Sequence, residues 1–392
     1  MKLSKRIQQV KPSATLTINA KASQLKAQGR DVLSLAAGEP DFAPPEHVLQ
    51  AAREAIDQGF SRYTPVPGIP ELRRAVADYF QRQYDFSATP DMAIVTNGGK
   101  QGLYNLCQVL LDPGDEVLIP APYWVSYPDM VTLAGGSAVI LPTQPEQSFL
   151  LSPQDLESGL SPRSRILILN TPSNPTGCHY SQQRLDQIIE WALAHDLFVI
   201  SDEIYDQFVY PPARPATAVH WLEKAPEQVA VVNGLSKCFA LTGWRIGYVL
   251  GDQKLIASLS KIQGQSTSNI CSIAQKAALA ALSGSWDFLD RQRQIFAARR
   301  DKALATMAAW PDVHCPEPEG AFYLFPRLDS YFTSEISDST QLCAHLLDQA
   351  EVALVPGRAF GDDRCIRLSY ALDESTLMTG LERIGRALQT MG

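Results

Sequence analysis

Residues 166–174 read ILILNTPSN, so four consecutive apolar residues are followed at once by polar ones. A short, continuous apolar run of this kind predicts a strand buried on both faces, as in a parallel sheet between two layers of helices. Similar runs occupy residues 93–96, 197–200 and 229–232. Because helical segments alternate with these runs, the sequence predicts an α/β fold with a mostly parallel central sheet covered by helices.

The remaining elements are predicted from the same periodicities and divide the chain into two parts. Helices are expected over residues 46–58, from Pro70 onward and over 100–110, with further strands at 117–119, 138–141 and 246–249. A helix of about 286–310 separates these from strands at 321–325, 352–355 and 365–369 and helices at 340–350 and 374–391. Single cores stop growing at roughly 250–300 residues, and this chain has 392. We therefore expect a large domain over 48–290 and a smaller α+β domain built from 1–47 and 291–392.

Composition excludes several classes of protein. The 34 basic and 42 acidic residues are dispersed and give a net charge of −8, which disfavours binding to nucleic acid. No apolar run approaches the ~20 residues of a membrane span, and the N-terminus lacks the apolar core of a secretory signal. The seven cysteines form no C-x-x-C pair, so no metal site is expected. Reduced thiols in the cytoplasm are the simplest interpretation.

Polar residues stand at the ends of four predicted strands. In open α/β sheets ligands bind beyond the carboxyl ends of the strands, so these residues are expected to share one site. The segment Asn97-Gly98-Gly99-Lys100 opens a helix, whose free N–H groups suit a phosphate. Asn174 and Asp202 follow two other strands, and Lys237 follows a fourth. A lysine among apolar neighbours is a candidate for covalent bonding to a carbonyl group, because burial lowers its pKa.

Taken singly, each residue has an ordinary structural explanation. Lys237 resembles a solvated surface lysine, and Asp202 a helix cap. Asn174 could stabilise a turn, while Trp124 and Tyr205 suit a core. Arg245 and Arg367 could pair with surface carboxylates. Their joint occurrence at successive strand ends is what favours a shared functional site.

The chain resembles the class I, fold-type I, pyridoxal-phosphate-dependent aminotransferases from Lys11 to Tyr370. The resemblance is carried by ordered segments, among them AAGEPDF (36–42), SNPTG (173–177), SDEIYD (201–206) and GLSKCFALTGWRIGY (234–248). Within the class it is most similar to the bacterial and plant group of aspartate and prephenate aminotransferases. Cys238 departs from this pattern, since alanine is commoner after the lysine, but no functional group is lost.

The resemblance implies roles around pyridoxal 5′-phosphate. Lys237 would hold the cofactor as an internal aldimine and then move the proton between substrate Cα and cofactor. Asp202 would keep the pyridine nitrogen protonated, so that the ring accepts electrons. Tyr205 and Asn174 would bond the phenolic oxygen, and Trp124 would stack on the ring.

The resemblance also assigns the phosphate and the partner. The phosphate group would lie among Gly99, the Lys100 N–H, Ser236 and Arg245. Tyr63 would reach the phosphate of a second chain, which implies a homodimer with shared active sites.

Substrate groups follow from the same resemblance. Arg367 would bind the α-carboxylate bidentately, assisted by Gly38 and Asn174, with Trp124 nearby. Lys100 and Thr15 would hold a distal carboxylate.

Three functions remain open at this point. The first is ping-pong transfer of an amino group between aspartate or glutamate and a 2-oxo acid, with prephenate as a further acceptor. Alternatives are an aminotransferase of aromatic or other neutral amino acids, or a β-lyase or aminocyclopropane-carboxylate-type synthase of the same fold. A transcriptional regulator with such a domain is disfavoured, because only ~35 residues precede AAGEPDF.

Overall fold

A seven-stranded sheet forms the centre of the molecule in a computed structural model that describes residues 1–10, 12 and 14–391. Lys11 and Ser13, with which the resemblance begins, lie outside the described residues. The strands of all three sheets, in chain order, are β1 Leu33–Ser34, β2 Ala93–Asn97, β3 Glu116–Ala121, β4 Ser137–Pro142, β5 Ser164–Asn170, β6 Phe198–Asp202, β7 Val229–Gly234, β8 Ile246–Leu250, β9 Tyr323–Leu324, β10 Val352–Ala353, β11 Val355–Pro356 and β12 Ile366–Ser369.

The order of strands in the central sheet is β2-β8-β7-β6-β5-β3-β4. Only β8 runs antiparallel to its neighbours, so the predicted mostly parallel α/β sheet is confirmed. Strands β2, β5, β6 and β7 consequently point the same way. Their carboxyl ends meet at one edge of the sheet, where the sequence places its polar residues.

Alternate residues of each strand enter different layers of the core. In β5, Leu167 and Leu169 join one apolar cluster, whereas Ile166 and Ile168 join another on the opposite face. Side chains of a strand point alternately to its two faces, so both faces of this strand are apolar and both are covered. This double burial explains why the strands appear in the sequence as continuous apolar runs.

Helices cover both faces of the sheet. They are α1 Lys5–Gln9, α2 Ala14–Ala27, α3 Glu46–Asp57, α4 Pro70–Tyr84, α5 Gly99–Leu110, α6 Tyr127–Ala134, α7 Pro153–Glu157, α8 Gln182–Ala194, α9 Trp221–Lys224, α10 Gln253–Gly264, α11 Ser272–Ser283, α12 Asp287–Met307, α13 Ser339–Gln349 and α14 Glu374–Gln389. None of the helices among the described residues combines the length and the apolar character that crossing a lipid bilayer requires.

The C-terminal part differs from the prediction at one point. The strand expected over 352–355 is two strands in two sheets. Strand β10 pairs in parallel with β1, whereas β11 pairs antiparallel with β12. The chain changes sheets at Leu354, and periodicity cannot reveal this because every residue of the segment is buried.

Helix α12 contributes to two separate apolar clusters. Leu289 packs in the cluster of the central sheet, whereas Phe296, Ala303 and Met307 pack in a second cluster with residues of β9 and β12. The change of core occurs inside this helix. The expected division into 48–290 and 1–47 with 291–392 stays a prediction.

Candidate active site

A cavity of about 420 Å³ lies at the carboxyl edge of the central sheet. Twelve of the thirteen residues singled out from the sequence line it, namely Thr15, Gly38, Gly99, Lys100, Trp124, Asn174, Asp202, Tyr205, Ser236, Lys237, Arg245 and Arg367. The ends of strands that are far apart in sequence, from β2 to β7, therefore meet around one space.

Lys237 lies inside this cavity, just beyond the end of β7. Its Nζ donates a hydrogen bond to the carbonyl oxygen of Gly38 at 2.7 Å and lies 6.0 Å from the centre of the Tyr205 ring. Burial lowers the pKa of Lys237 to about 8, with Glu39 opposing the shift and Arg367 adding to it. The neutral amine that a nucleophilic lysine requires is therefore far more populated near neutral pH than in a solvated lysine.

Asp202 is the last residue of β6 and is 5% exposed. Its Oδ2 accepts a hydrogen bond from the hydroxyl of Tyr127 at 2.7 Å, and its Oδ1 accepts one from the Ile204 N–H at 3.3 Å. Burial raises the pKa of Asp202 to about 6, while the hydrogen bond from Tyr127 opposes that rise. The carboxyl group is thus an anion at neutral pH and suits a cationic ring nitrogen.

The start of α5 forms a cradle for an anion. No described side chain caps the first turn of this helix, which Gly98 precedes with a φ of 78°. Arg245 lies against this turn and donates hydrogen bonds to the carbonyl oxygens of Thr242 at 2.9 Å and Asn97 at 3.2 Å. Free N–H groups, the helix dipole and a guanidinium together favour a phosphate.

Close packing explains the glycines of this cradle. A Cβ on Gly247 would collide with the backbone N of Gly99, and one on Gly98 would collide with the Arg245 guanidinium. The antiparallel strand β8 thereby holds the start of α5 directly against the sheet.

Arg367 brings a buried positive charge to the cavity. It is 3% exposed, and its Nη1 and Nη2 donate to Asn174 Oδ1 at 3.0 Å and to the Ala36 carbonyl at 2.7 Å. Its Nε has no hydrogen-bond partner, and the hydrogen bonds of its other two nitrogens go to neutral oxygens and not to a carboxylate of the described residues. A buried guanidinium in this condition calls for an anionic ligand, because leaving it unpaired is costly.

Lys100 and Thr15 also line the cavity. The Nζ of Lys100 lies 4.8 Å from the centre of the Trp124 ring. Partial burial and the nearby charge of Arg245 lower the pKa of Lys100. Thr15 reaches the cavity from the second residue of α2.

Tyr205 and Asn174 are held by neighbours that sequence reasoning did not select. The hydroxyl groups of Tyr205 and Tyr323 are 2.7 Å apart. The backbone N–H of Asn174 donates to Asn170 Oδ1 at 2.8 Å, and the Asn170 amide donates to the Asp202 carbonyl at 2.9 Å. Asn170 thus ties two site residues together. Its position directly after an apolar strand was the available signal.

Besides Asn170, further lining residues were missed because no local pattern marks them, namely Asn19, Glu39, Leu103, Val125, Ser126, Ile204, Thr242 and Tyr323. Tyr63 does not reach this cavity. It is 92% exposed in the loop between α3 and α4, and its role toward a second chain stays a prediction.

The residues present fit pyridoxal phosphate. The uncapped helix start with Arg245 suits its phosphate, the buried Asp202 suits its ring nitrogen, and Lys237 suits its aldehyde. Trp124 offers a ring for stacking and forms a T-shaped pair with Tyr127, with ring centres 5.4 Å apart. Groups suited to the phosphate, the ring nitrogen and the aldehyde therefore occur together in one cavity.

Comparison with known proteins agrees with this geometry. The family model described as "Aminotransferase class I and II" matches residues 30–384. A Petunia hybrida protein named bifunctional aspartate aminotransferase and glutamate/aspartate-prephenate aminotransferase is 47% identical, over 99% of this chain and 83% of that protein. The aspartate/prephenate aminotransferase of Thermus thermophilus is 44% identical, over 98% of both chains.

Solved structures of aspartate aminotransferases are also similar to this chain over nearly its full length. The structure of aspartate aminotransferase from Thermus thermophilus with maleate has a TM-score of 0.93 and 43% identity, covering 99% of this chain and 100% of that chain. The aspartate aminotransferase from Rhizobium meliloti has a TM-score of 0.94 and 39% identity, covering 99% of each chain.

The hydrogen bond from Tyr127 to Asp202 yields a testable pH dependence. Tyr127→Phe removes the hydroxyl and keeps the ring, so the buried carboxylate loses one donor and the pKa of Asp202 rises further. The acid limb of the kcat/KM profile should therefore move to higher pH by about one pH unit, as expected for one hydrogen bond to a charged group.

Tyr331→Phe is the matched control for this experiment. It removes a hydroxyl that donates to the Pro311 carbonyl at 2.6 Å, outside the cavity, and should leave the pH profile unchanged. An unshifted acid limb in Tyr127→Phe would contradict the assigned role of Tyr127.

Proposed function

Because this chain belongs to the class I and II aminotransferases, we propose that it transfers the amino group between aspartate or glutamate and a 2-oxo acid, with pyridoxal 5′-phosphate as cofactor. The observation that carries the proposal is Arg367, a buried guanidinium without a carboxylate partner among the described residues, in the same cavity as Lys237 and Asp202. An amino acid or 2-oxo acid brings the α-carboxylate that Arg367 lacks.

Lys237 and Asp202 handle protons at defined atoms. When bound, the cofactor supplies an aldehyde for amino groups and a ring that accepts the electron pair released from substrate Cα. Lys237, whose pKa is lowered to about 8, has the neutral amine needed to bind that aldehyde and later to move the proton at Cα. Asp202, as the carboxylate counter-ion, would keep a proton on the ring nitrogen.

The remaining cofactor groups would be bound by residues that do not change state. The first turn of α5, with Gly99 and the Lys100 N–H, would hold the phosphate together with Ser236 and Arg245. Trp124 would cover one face of the ring. Tyr205 and the free amide of Asn174 would bond the phenolic oxygen. These contacts restrict the ring to one orientation relative to Lys237.

Two groups of residues in the cavity would set the substrate specificity. Arg367, assisted by Asn174 and the Gly38 backbone, would bind the α-carboxylate. Lys100 and Thr15, which line the same cavity, would bind a distal carboxylate, which selects dicarboxylic substrates. The names of the similar proteins from Petunia hybrida and Thermus thermophilus support this, since both include aspartate aminotransferase or aspartate/prephenate aminotransferase.

The same residues would serve two half-reactions. The amino donor and the 2-oxo acid acceptor would bind in turn through their carboxylates, and the cofactor would supply the chemistry that carries the amino group between the two half-reactions. Since Arg367 and Lys100 bind carboxylates that both substrates carry, one cavity serves both, which gives ping-pong kinetics. Prephenate is a second candidate acceptor, favoured by the relatives' names.

The direct test is steady-state transfer with a panel of substrates. Purified holoenzyme with 2-oxoglutarate should convert aspartate to oxaloacetate and show parallel lines in double-reciprocal plots. A separate reaction with glutamate tests prephenate as acceptor. Release of pyruvate or ammonia without transfer to 2-oxoglutarate would instead support a β-lyase. Preference for neutral or aromatic donors over aspartate would contradict the dicarboxylate assignment.

Lys100 gives a prediction about specificity. Lys100→Met removes the cation from the cavity lining and keeps a long side chain over Trp124. The KM for aspartate should rise by a factor that corresponds to about 1–3 kcal/mol of lost charge-assisted bonding, while the KM for phenylalanine should change little.

Lys224→Met is the control for Lys100→Met, because Lys224 also places its Nζ over a tryptophan ring, 4.5 Å from the centre of Trp221, but outside the cavity. It should leave both KM values unchanged. Equal losses for aspartate and phenylalanine in Lys100→Met would mean that Lys100 supports only the phosphate cradle.

A homodimer with shared active sites is also proposed, with Tyr63 completing the phosphate site of the second chain. Tyr63 supports this by being 92% exposed in a segment whose next residue, Thr64, accepts a hydrogen bond from the Gln275 amide at 2.8 Å. An aromatic ring displayed by an anchored backbone suits a contact with another molecule.

All seven cysteines have free thiols, which supports a cytoplasmic location.

Hybrid dimers test this arrangement. A Tyr63→Phe chain and a Lys237→Ala chain, carrying different tags, should form a hybrid in which one site is intact and the other carries both changes. The purified hybrid should show about half of the parent activity, with parent cofactor affinity at its intact site. A hybrid no more active than the Tyr63→Phe dimer, or a fully active monomer in sedimentation, would contradict the proposal.

A further inference from the structure

The segment Ala36–Asp41 contacts two cations of the cavity, Arg367 and Lys237. The carbonyl oxygen of Ala36 accepts a hydrogen bond from Arg367 Nη2 at 2.7 Å, and that of Gly38 accepts one from Lys237 Nζ at 2.7 Å. Glu39 accepts a hydrogen bond from the Thr242 hydroxyl at 2.8 Å. The segment therefore sets where the reacting amine and the carboxylate-binding guanidinium point.

The backbone of this segment has little regular structure to fix it. Strand β1 ends at Ser34, and α3 begins at Glu46, so residues 36–41 lie in the intervening loop. Gly38 also sits against Tyr323, because a Cβ there would lie 2.8 Å from the Tyr323 hydroxyl. A loop in such close contact with reacting groups needs a rigid attachment.

Arg299 supplies this attachment at the end of the segment. Its Nη1 and Nη2 donate to Asp41 Oδ1 at 2.9 Å and to Oδ2 at 2.8 Å, which is a bidentate pair. The side chains of Arg299 and Asp41 are only 10% and 26% exposed. The guanidinium lies 5.8 Å from the ring centres of Phe42 and Phe296, so an apolar pocket confines it.

Arg299 lies in the middle of α12, a helix of 21 residues that spans both apolar cores. The bidentate geometry fixes orientation as well as distance, which a single ammonium cannot do. The long helix is thus connected through Asp41 to the loop that touches Lys237 and Arg367.

We propose that Asp41 and Arg299 are positioning residues of the transfer reaction, which hold the segment Ala36–Asp41 so that its carbonyl groups aim Lys237 and Arg367 into the cavity. The inference rests on the proposed function only in taking Lys237 as the reacting amine and Arg367 as the carboxylate-binding group. It assigns function to a pair that lies outside the cavity.

Arg299→Lys is the principal variant, because it keeps the charge and removes the fork. Misplacement of reacting groups by about 1 Å costs up to about 100-fold, so kcat/KM for the best amino donor should fall about 10- to 100-fold. The affinity for succinate, an unreactive dicarboxylate, should fall as well when measured by calorimetry, because Arg367 is less well aimed. Asp41→Asn provides a second variant that keeps the size of the side chain.

The state of Lys237 gives a readout that a purely structural role would not change. In the cofactor-free full chain, the pH midpoint for labelling of Lys237 by a small amine reagent reports its pKa. The Gly38 carbonyl and Glu39 favour the ammonium form, so a loosened segment should lower this midpoint. Asp202, Arg245, Arg367 and the Tyr205 ring also face Lys237. Arg299→Lys changes none of these groups and no net charge, so a shift reports geometry.

Arg300→Lys is the matched control. Arg300 is the next residue of the same helix, and both arginines are 8% exposed as whole residues. The Arg300 side chain donates a hydrogen bond to the Pro318 carbonyl at 2.8 Å and not to the segment Ala36–Asp41. It should lower thermal stability comparably and leave kcat/KM, succinate affinity and the labelling midpoint near their parent values.

The outcomes separate the inference from the proposed function. Lower kcat/KM, weaker succinate binding and a lower midpoint in Arg299→Lys and Asp41→Asn, but not in Arg300→Lys, would support it. The inference would be overturned if folded Arg299→Lys or folded Asp41→Asn kept the parent kcat/KM, succinate affinity and labelling midpoint, even with a lower stability. A parent protein that transfers no amino group would refute the proposed function, while the labelling midpoint would still decide the role of the pair.

Discussion

Burial of charged groups at the carboxyl edge of the central sheet is the constraint on which the site depends. Lys237, Arg245, Arg367 and Lys100 face one cavity, while the carboxylates lining it are Asp202 and Glu39. Removing charges from water costs several kcal/mol per ion unless partners compensate. The pKa of Lys237, lowered from 10.5 to about 8, corresponds to about 3 kcal/mol against its charged form. Four cations thus face two carboxylates in the lining, and this excess of positive charge makes the cavity selective for anions.

The fold meets this constraint with neutral hydrogen-bonding groups. Tyr127 and the Ile204 N–H donate to Asp202, while Asn174 and the Ala36 carbonyl accept from Arg367. Neutral partners keep the charged groups oriented without cancelling their charge. The charges thus stay available to a ring nitrogen, a phosphate and a carboxylate. The same contacts connect residues from distant strands, so the sheet topology and the chemistry depend on each other.

Much of this arrangement could be predicted from the sequence, because parallel strands buried on both faces leave continuous apolar runs with polar ends. Ile166–Leu169 and the residues after it show this directly, and the resemblance then assigned Lys237, Asp202 and Arg367 to one site. What could not be predicted depends on tertiary contact. Tyr127 lies in an apolar helix, Asn19 in a segment without clear periodicity, and Arg299 far along the chain from Asp41. The change of sheet at Leu354 was hidden because all its neighbours are buried.

Reduction with borohydride followed by peptide mapping tests the central claim most directly, because it asks which amine reacts in the cavity. Holoenzyme without substrate should retain the reduced cofactor on Lys237, and the parent protein should lose this label when an amino donor is added first. A label on Lys100, or on no lysine while the cofactor remains bound, would contradict the account, since the site is built around the amine of Lys237.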